Sequence, residues 1–280
     1  MKDHHILCRY YLLFFFSFCS IPLPVYADSS FSILTNISPQ WQSFARGIEY
    51  FDAHTTTPRI QFWALRIDLK NPAIQIVVND SAVSTTVSSF VRRNDLIAGI
   101  NANPFSPVSG IEGEKRTIIG ITVSHGILIA PAHPSFDALV FFHNGKAAIV
   151  NQTQIALDEI HYAVGGFYKV LHNGTTTARI TARHPRSAVG VSFDGNTLFL
   201  LVVDGRRASS IGVTEAELGI VLRQLGAFNG LNLDGGGSAL LVLRYPDGAV
   251  RPANTPLHEG MPGRERAVAS CLGIKVIGSN

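Results

Sequence analysis

The segment Leu231-Asn232-Leu233-Asp234-Gly235-Gly236-Gly237-Ser238 joins a short apolar strand to a carboxylate, three glycines and a hydroxyl. Apolar residues resume at 239–243, so the glycines form a tight loop between two ordered elements. Glycine has no Cβ and accepts positive φ, which lets a backbone pass very close to another group. Such a loop, with Asp234 and Ser238 at its ends, suits anion binding and acid–base chemistry. A glycine-rich hairpin or bulge is the structural alternative.

A second apolar strand ends on Asp204, and one helix connects it to the strand that ends near Asp234. This helix begins with the capping-box pattern Thr214-Glu215-Ala216-Glu217. A right-handed strand–helix–strand crossover brings both strand ends to one edge of a sheet, beside the helix N-terminus. The pattern therefore predicts that Asp204 and Asp234 lie close together. Glu217 is either a helix cap alone or a third carboxylate at that edge.

Most of the remaining chain has the apolar composition and alternation of β-strands. The strand candidates are 62–69, 74–78, 96–101, 118–123, 138–142, 188–193, 197–203, 231–233, 239–243 and 272–277. A second helix is predicted at Ser88–Arg93, and no linker or internal repeat divides the chain. We therefore predict an α+β fold: a single domain with a strand-rich mixed sheet core and one clear helix between the Asp-bearing strands.

The N-terminal residues have the pattern of an export signal. A basic start is followed by the short apolar run Tyr11–Phe18 and by Val25-Tyr26-Ala27, which fits a signal-peptidase site. The run is shorter than the ~20 residues that span a bilayer, although an uncleaved anchor is the alternative. We expect a cleaved signal peptide at 1–27, an N-terminal arm with the first elements at 28–61, and one domain at 62–280. The mature protein would be periplasmic or extracellular, with no stable membrane span.

Charge and cysteine content exclude some classes of function. The formal net charge is +3, and loss of the signal would remove two basic residues and one acidic residue to leave +2. This charge is too small, and the basic residues are too scattered, to predict nucleic-acid binding. Cys271 would be the single cysteine of the mature chain, so it is predicted to be a buried small hydrophobe without a disulfide partner.

Arginine and asparagine side chains lie at other strand ends. Arg186 precedes a predicted strand and Arg206 follows another, and arginine binds phosphate through a rigid bidentate fork. A solvated surface arginine is the structural alternative. Asn101 and Asn103 end a further strand, where a proline turn would also explain them. The histidines remaining after processing show no metal-ligand spacing and are treated as structural or surface residues.

Taken in order, these segments resemble the phosphodiester glycosidase domain family. The segments that carry the resemblance are Asn101-Ala102-Asn103-Pro104-Phe105, Arg186-Ser187-Ala188-Val189-Gly190, Val203-Asp204-Gly205-Arg206, Gly212-Val213-Thr214-Glu215-Ala216-Glu217-Leu218, Asn232–Ser238 and Arg264–Ser270. The resemblance extends over roughly Phe62 to Ile277, which makes 62–280 a phosphodiester glycosidase-like domain. One departure is Asn103-Pro104-Phe105, where family members usually have glycine and two aromatic residues.

The resemblance implies an exported hydrolase that cleaves the glycosidic bond of a sugar-1-phosphodiester in a glycan or cell-envelope polysaccharide. Candidate general acids, general bases or nucleophiles are Asp204, Asp234 and Glu217. Candidate substrate-binding residues are Asn101, Asn103, Arg186, Arg206, Gly235, Gly236, Gly237 and Ser238. The carboxylates could instead hold a divalent cation, calcium or magnesium. Two other functions remain open: an anionic-glycan binding protein in polysaccharide assembly, and a phosphodiesterase that cuts the P–O bond.

Overall fold

The computed structural model describes residues 37–177 and 179–278. The expected signal peptide and residues 28–36 of the expected arm lie outside these residues. Two α-helices are described, α1 (Val87–Arg93) and α2 (Glu215–Leu225). The first strands are β1 (Gln42–Ala45), β2 (Ile48–Thr56), β3 (Arg59–Asp68), β4 (Ile74–Val78), β5 (Ala98–Asn101), β6 (Phe105–Ser106), β7 (Thr117–Ile118), β8 (Thr122–Ser124), β9 (Ile127–Ala130), β10 (Asp137–Phe142) and β11 (Ala147–Asn151). They are followed by β12 (Ile160–Gly165), β13 (Lys169–His172), β14 (Thr175–Thr176), β15 (Arg186–Val191), β16 (Thr197–Val203), β17 (Asn229–Asn232), β18 (Leu241–Arg244), β19 (Val250–Pro252), β20 (Leu257–His258), β21 (Met261–Pro262) and β22 (Cys271–Val276).

The largest sheet has eight strands in the order β1-β2-β3-β16-β15-β17-β13-β14. Two five-stranded sheets have the orders β11-β10-β12-β8-β9 and β19-β18-β5-β22-β4. Buried side chains from all three sheets, including Leu65, Ile100, Leu139 and Leu200, form one continuous core. The predicted single α+β domain is confirmed, because these sheets bury their apolar faces against one another. None of the described helices is long and apolar enough to cross a membrane.

Helix α2 covers the other face of the eight-stranded sheet. Its buried side chains, among them Leu218 and Leu222, pack against Ala188 and Leu201 of the sheet. Both halves of the predicted capping box are present: the Thr214 side chain accepts from the N3 amide, and the N3 carboxylate accepts from the Thr214 amide. This helix follows β16 and precedes β17, so it is the predicted connection between the Asp-bearing strands.

The sequence predicted a mixed sheet, whereas every strand pair of the described residues is antiparallel. Strands β16 and β17 do run in the same direction, but β15 lies between them and is antiparallel to both. Their ends therefore reach the same edge of the sheet, as the crossover argument requires.

Two other details differ from the sequence patterns. The expected strand 118–123 is divided into β7 and β8, because Gly120 has φ +97° and the Ile121 amide donates to the Gln152 side chain at 2.8 Å. Strands β1 and β2 lie within the segment 28–61 that was set apart from the domain, yet β2 pairs with β3 along its whole length. Cys271 is buried, as predicted.

Candidate functional site

The Asp234 carboxyl is the group at this sheet edge whose acidity is changed most clearly. It lies two residues beyond β17 and is partly exposed. Burial raises the pKa of this carboxyl to about 6, although the Ser238 hydroxyl, the Arg266 guanidinium and the Gly235 amide favour its charged form. A carboxyl with such a pKa holds or releases a proton near neutral pH, which is the property that general acid–base catalysis needs.

Asn101 holds the backbone of Asp234 in place. Its Nδ2 donates to the Asp234 carbonyl oxygen at 2.6 Å, and its Oδ1 accepts from the Ser187 hydroxyl at 2.6 Å and the Leu240 amide at 3.1 Å. Asn101 is buried, and these bonds engage its amide on both sides. It therefore lies at the site as predicted, but its contacts are with the protein, so it positions the Asp234 loop.

Three arginines surround the loop that contains Asp234. Arg266 donates through Nη1 to the Ser238 hydroxyl at 3.1 Å and through Nε to His258 Nδ1 at 3.2 Å. Burial lowers the pKa values of Arg186 and Arg266. Glu215 raises that of Arg186 and Asp234 raises that of Arg266, whereas the charge of Arg206 lowers both. The charges of Arg206 and Arg266 favour the binding of an anion beside this loop. Arg186 is buried, and its guanidinium already donates to the carbonyl oxygens of Val213 at 3.3 Å and Ala182 at 3.2 Å. Arginine geometry suits a phosphate group.

The absence of side chains in the glycine loop lets these arginines approach. A Cβ on Gly236 would lie 3.3 Å from Arg206 Nη1, and a Cβ on Gly237 would lie 2.5 Å from Arg266 Nη2. Gly236 also needs glycine for its φ of +60°. The Gly236 amide donates to the Pro185 carbonyl oxygen at 2.9 Å. The Gly236 amide, one of the expected donors, is therefore already occupied. The groups available to bind an anion are the arginine side chains that the loop accommodates.

Asp204 reaches the same sheet edge, but its carboxylate has a separate set of partners. Oδ2 accepts from Arg207 Nη2 at 2.7 Å, and Oδ1 accepts from Asn254 Nδ2 at 2.9 Å and the Thr255 amide at 3.2 Å. Asp204 is only 2% exposed. None of these contacts involves Asp234. The structure therefore places Asp204 where it fixes the 254–255 segment, and does not place it as an open carboxylate beside Asp234.

Glu217 and Asn103 are also engaged by the protein. The Glu217 carboxylate accepts from the Thr214 amide at 2.8 Å and pairs with Arg183, and it is buried. Asn103 donates to the carbonyl oxygens of Gly120 and Ile121, both at 3.1 Å, so it joins neighbouring segments. The helix-cap alternative therefore explains Glu217 without a ligand, and Asn103 is explained by contacts with another segment of the chain instead of the expected proline turn.

Sequence patterns missed three residues of this site. Arg266 lies five residues before β22, and the sequence gave no signal that it binds a ligand. Glu215 and Asn232 are buried, and the Asn232 Nδ2 donates to Glu215 Oε1 at 3.4 Å. Glu215 also lies 3.8 Å from Arg186 Nη1. The signal available was position: Asn232 is the last residue of β17, two residues before Asp234.

The described residues contain no group of three or more histidine, cysteine or acidic side chains placed to hold a metal ion. Asp234 is near arginines and Asp204 is paired with Arg207, and such cations oppose the binding of calcium or magnesium. The donor set around these carboxylates therefore does not fit the divalent cation considered from the sequence.

Comparison with known proteins identifies the family. The family model for phosphodiester glycosidase matches residues 94–275, more than half of the chain. The SPbeta prophage-derived uncharacterized protein YomE of Bacillus subtilis (strain 168) is 28% identical over an alignment of 170 residues, which covers 55% of this chain and 25% of that protein. The chain therefore spans about a quarter of the length of this relative.

Two solved structures share the fold. The catalytic domain of zebrafish N-acetylglucosamine-1-phosphodiester alpha-N-acetylglucosaminidase, auto-inhibited by its pro-peptide, superposes with a TM-score of 0.63 at 17% identity, over 85% of this chain and 88% of that one. A hypothetical protein from Synechocystis gives a TM-score of 0.61 at 14% identity, over 85% of this chain and 64% of that one. The resemblance expected from the sequence is confirmed, and the chain belongs to the phosphodiester glycosidase family.

Proposed function

We propose that this protein hydrolyses the glycosidic bond of a sugar-1-phosphodiester, with Asp234 as the general acid. The single observation that carries the proposal is the Asp234 carboxyl, with its pKa near 6, beside two arginines that suit a phosphate. Family membership supports the same class of reaction. A glycan or cell-envelope polysaccharide containing such a linkage is the proposed substrate.

In this proposal Arg206 and Arg266 bind the phosphodiester and stabilise the charge that leaves with it. Protonated Asp234 donates its proton to the oxygen between the sugar and phosphorus, and the sugar C–O bond breaks. The oxygen of a water molecule bonds to the sugar carbon, the proton that this water loses passes to solvent, and Asp234 regains a proton from solvent. The products are therefore a free sugar hydroxyl and a phosphate monoester. Asp234 is assigned the acid role because it lies on the side of the arginines, where the leaving group would bind.

Asp234→Asn tests whether the site is catalytic. Asparagine keeps the shape of the side chain but has no proton of suitable acidity, so turnover on a sugar-1-phosphodiester should fall by 10²-fold or more. Binding of a non-hydrolysed phosphate should persist because the arginines remain. A protein that only binds an anionic glycan would show no turnover in the parent chain, and that result would overturn the enzymatic proposal.

Hydrolysis in oxygen-18 water distinguishes the two possible bonds. Cleavage of the C–O bond places the label on the sugar, whereas cleavage of the P–O bond places it on the phosphate. We expect labelled sugar. Label on the phosphate would establish the phosphodiesterase alternative and remove the glycosidase assignment.

Export of the protein is a further part of this proposal. It is supported by the basic start, the short apolar run and the Val25-Tyr26-Ala27 site of the sequence. N-terminal sequencing of protein isolated from its native host should find a mature chain that begins at or very near Asp28. Soluble cytoplasmic protein that begins at Met1 would contradict it.

A further inference from the structure

We propose that His258 is a positioning residue of the anion site, because its neutral imidazole holds the Arg266 guanidinium where that group binds a phosphate. The proposal rests on the phosphodiester function above and adds a condition under which the site binds an anion. The His258 side chain is buried, with the residue only 2% exposed, so it does not reach a ligand itself. Its effect on a ligand therefore passes through Arg266.

Arg266 is held by two side chains from different segments of the chain. Its Nη1 donates to the Ser238 hydroxyl at 3.1 Å, and its Nε donates to His258 Nδ1 at 3.2 Å. A guanidinium has five N–H donors in a fixed plane, and these bonds use two of them. The ring of His258 therefore fixes the orientation of the plane, while other N–H groups of the same guanidinium are left for an anion.

The bond between Arg266 and His258 requires the neutral form of the histidine. A guanidinium only donates hydrogen bonds, so Nδ1 must offer a lone pair and the ring proton must lie on Nε2. On protonation, Nδ1 would gain a hydrogen that points at the N–H of Arg266. The acceptor would then be lost, and two cations would repel each other across the former hydrogen bond.

The surroundings of His258 favour its neutral form. Burial and the charge of Arg266 lower the pKa of the ring below its ordinary value of 6.5, Arg264 also lowers it, and Glu259 raises it. Glu259 Oε1 lies 3.6 Å from Nε2, which makes no hydrogen bond with the part of the chain that the structure describes. A Cβ on Gly110 would lie 3.1 Å from Nε2, so an uncharged backbone segment packs against this side of the ring. Arg266 is therefore held at neutral pH and released as the histidine gains a proton.

The two titrating groups of this site act in opposite directions. Protonation of Asp234 removes a negative charge beside the arginines and supplies the proposed general acid, so it favours anion binding and turnover as the pH falls. Protonation of His258 releases Arg266 and opposes both. A variant that changes the histidine and retains Asp234 separates the two effects.

Calorimetric binding of inorganic sulfate at about pH 7.5 tests the role of His258. Sulfate is a tetrahedral anion that does not titrate near neutral pH, so the charge of the probe stays constant. His258→Ala removes the acceptor and should weaken sulfate binding roughly 10-fold. His258→Asn should retain the affinity of the parent, because asparagine Oδ1 is bonded to Cγ as Nδ1 is and can accept from Arg266 in the same place.

A double-mutant cycle shows whether His258 acts through Arg266. In an Arg266→Ala background, His258→Ala should cause no further loss of sulfate affinity, because the group that the histidine positions is gone. His172→Asn, which replaces an exposed histidine in the hairpin of β13 and β14, is the matched control and should leave the affinity unchanged. Full affinity of folded His258→Ala protein, or an equal loss from this change in both backgrounds, would overturn the proposal.

The dependence on pH gives a test that holds even if His258→Ala does not fold. Asparagine accepts the same hydrogen bond but does not titrate, and Asp234 is present in both proteins. Between about pH 7.5 and pH 5, the sulfate affinity of the parent should fall about 3-fold or more relative to that of His258→Asn. A constant ratio would show that the ring does not control Arg266. A parent that gains affinity relative to the variant would make His258 a cation of the site, and either result overturns the proposal.

Failure of the proposed function gives a different result, because sulfate binding needs no hydrolysis. A parent protein that shows these effects without turnover retains the role of His258 and loses the glycosidase assignment. A parent that hydrolyses a sugar-1-phosphodiester, with His258→Ala equal to it in turnover and sulfate affinity, retains the function and loses the role of His258. A parent that does not bind sulfate overturns that role together with the anion site.

Discussion

The acidity of Asp234 predicts a specific dependence of stability on pH. The carboxyl has a pKa of about 6 in the folded protein against its ordinary value of 3.8, because burial disfavours its charged form. The folded state therefore binds this proton more tightly than the unfolded state. The resulting stabilisation is complete below pH 3.8 and is lost as the pH rises through 6. Because each pKa unit is equivalent to about 1.36 kcal/mol, the raised pKa contributes about 3 kcal/mol to the free energy of unfolding, or roughly 2 kcal/mol after allowance for partial exposure.

Asp234→Asn isolates this contribution because asparagine does not titrate. Urea unfolding of both proteins from pH 4 to pH 8 should show the parent losing about 2–3 kcal/mol relative to the variant. Above pH 6, the unfolding free energy of the variant should therefore have fallen less from its value at pH 4 than that of the parent. Other titrating groups occur in both proteins and largely cancel in the difference. If the difference in unfolding free energy between the two proteins stays constant across this pH range, the assignment of a raised pKa to Asp234 is refuted.

The remaining predictions concern activity and the surroundings of Asp234. The value of kcat/KM should fall as the pH rises through about 6, because the general acid must be protonated, and a rise over that range would assign Asp234 as a base or nucleophile instead. Arg266→Ala should weaken inorganic phosphate binding roughly 10- to 100-fold in calorimetry, because a charge-assisted hydrogen bond contributes ~1.5–3 kcal/mol. Arg264 is exposed, so Arg264→Ala is the matched control and should leave this affinity unchanged. Gly237→Ala should lower turnover more than the thermal midpoint, because its Cβ would displace Arg266, and an unchanged turnover would show that this contact is unimportant. Glu217→Ala should destabilise the fold by about 1–3 kcal/mol in urea unfolding and retain phosphate affinity, because Glu217 caps a helix and pairs with Arg183. Loss of phosphate affinity in a stable variant would place Glu217 in the site. Incubation with EDTA should leave turnover unchanged, and loss that calcium or magnesium restores would contradict the reading of the donor set.

The local elements of this fold could be predicted because their signals come from residues that are close in the chain. The capping box at Thr214–Glu217 satisfies amides one helical turn away, and the apolar run 197–203 forms β16 with the bounds that the sequence indicates. The crossover between the Asp-bearing strands also follows from the order of these elements. The capping box and the strand use spacings of two to four residues, which the sequence displays directly.

Side-chain partners decided which carboxylate is open, and these partners come from distant parts of the chain. Asp204 and Asp234 have similar local patterns, but Asp204 is held by Asn254 and Thr255, some fifty residues later. Arg266 reaches Ser238 from twenty-eight residues away. No local periodicity encodes contacts of this length, because they depend on how the sheets pack and on the direction that each side chain takes. The sequence by itself determined the strand–helix–strand frame and the family, and only the tertiary structure separated the Asp234 site from the buried network of Asp204.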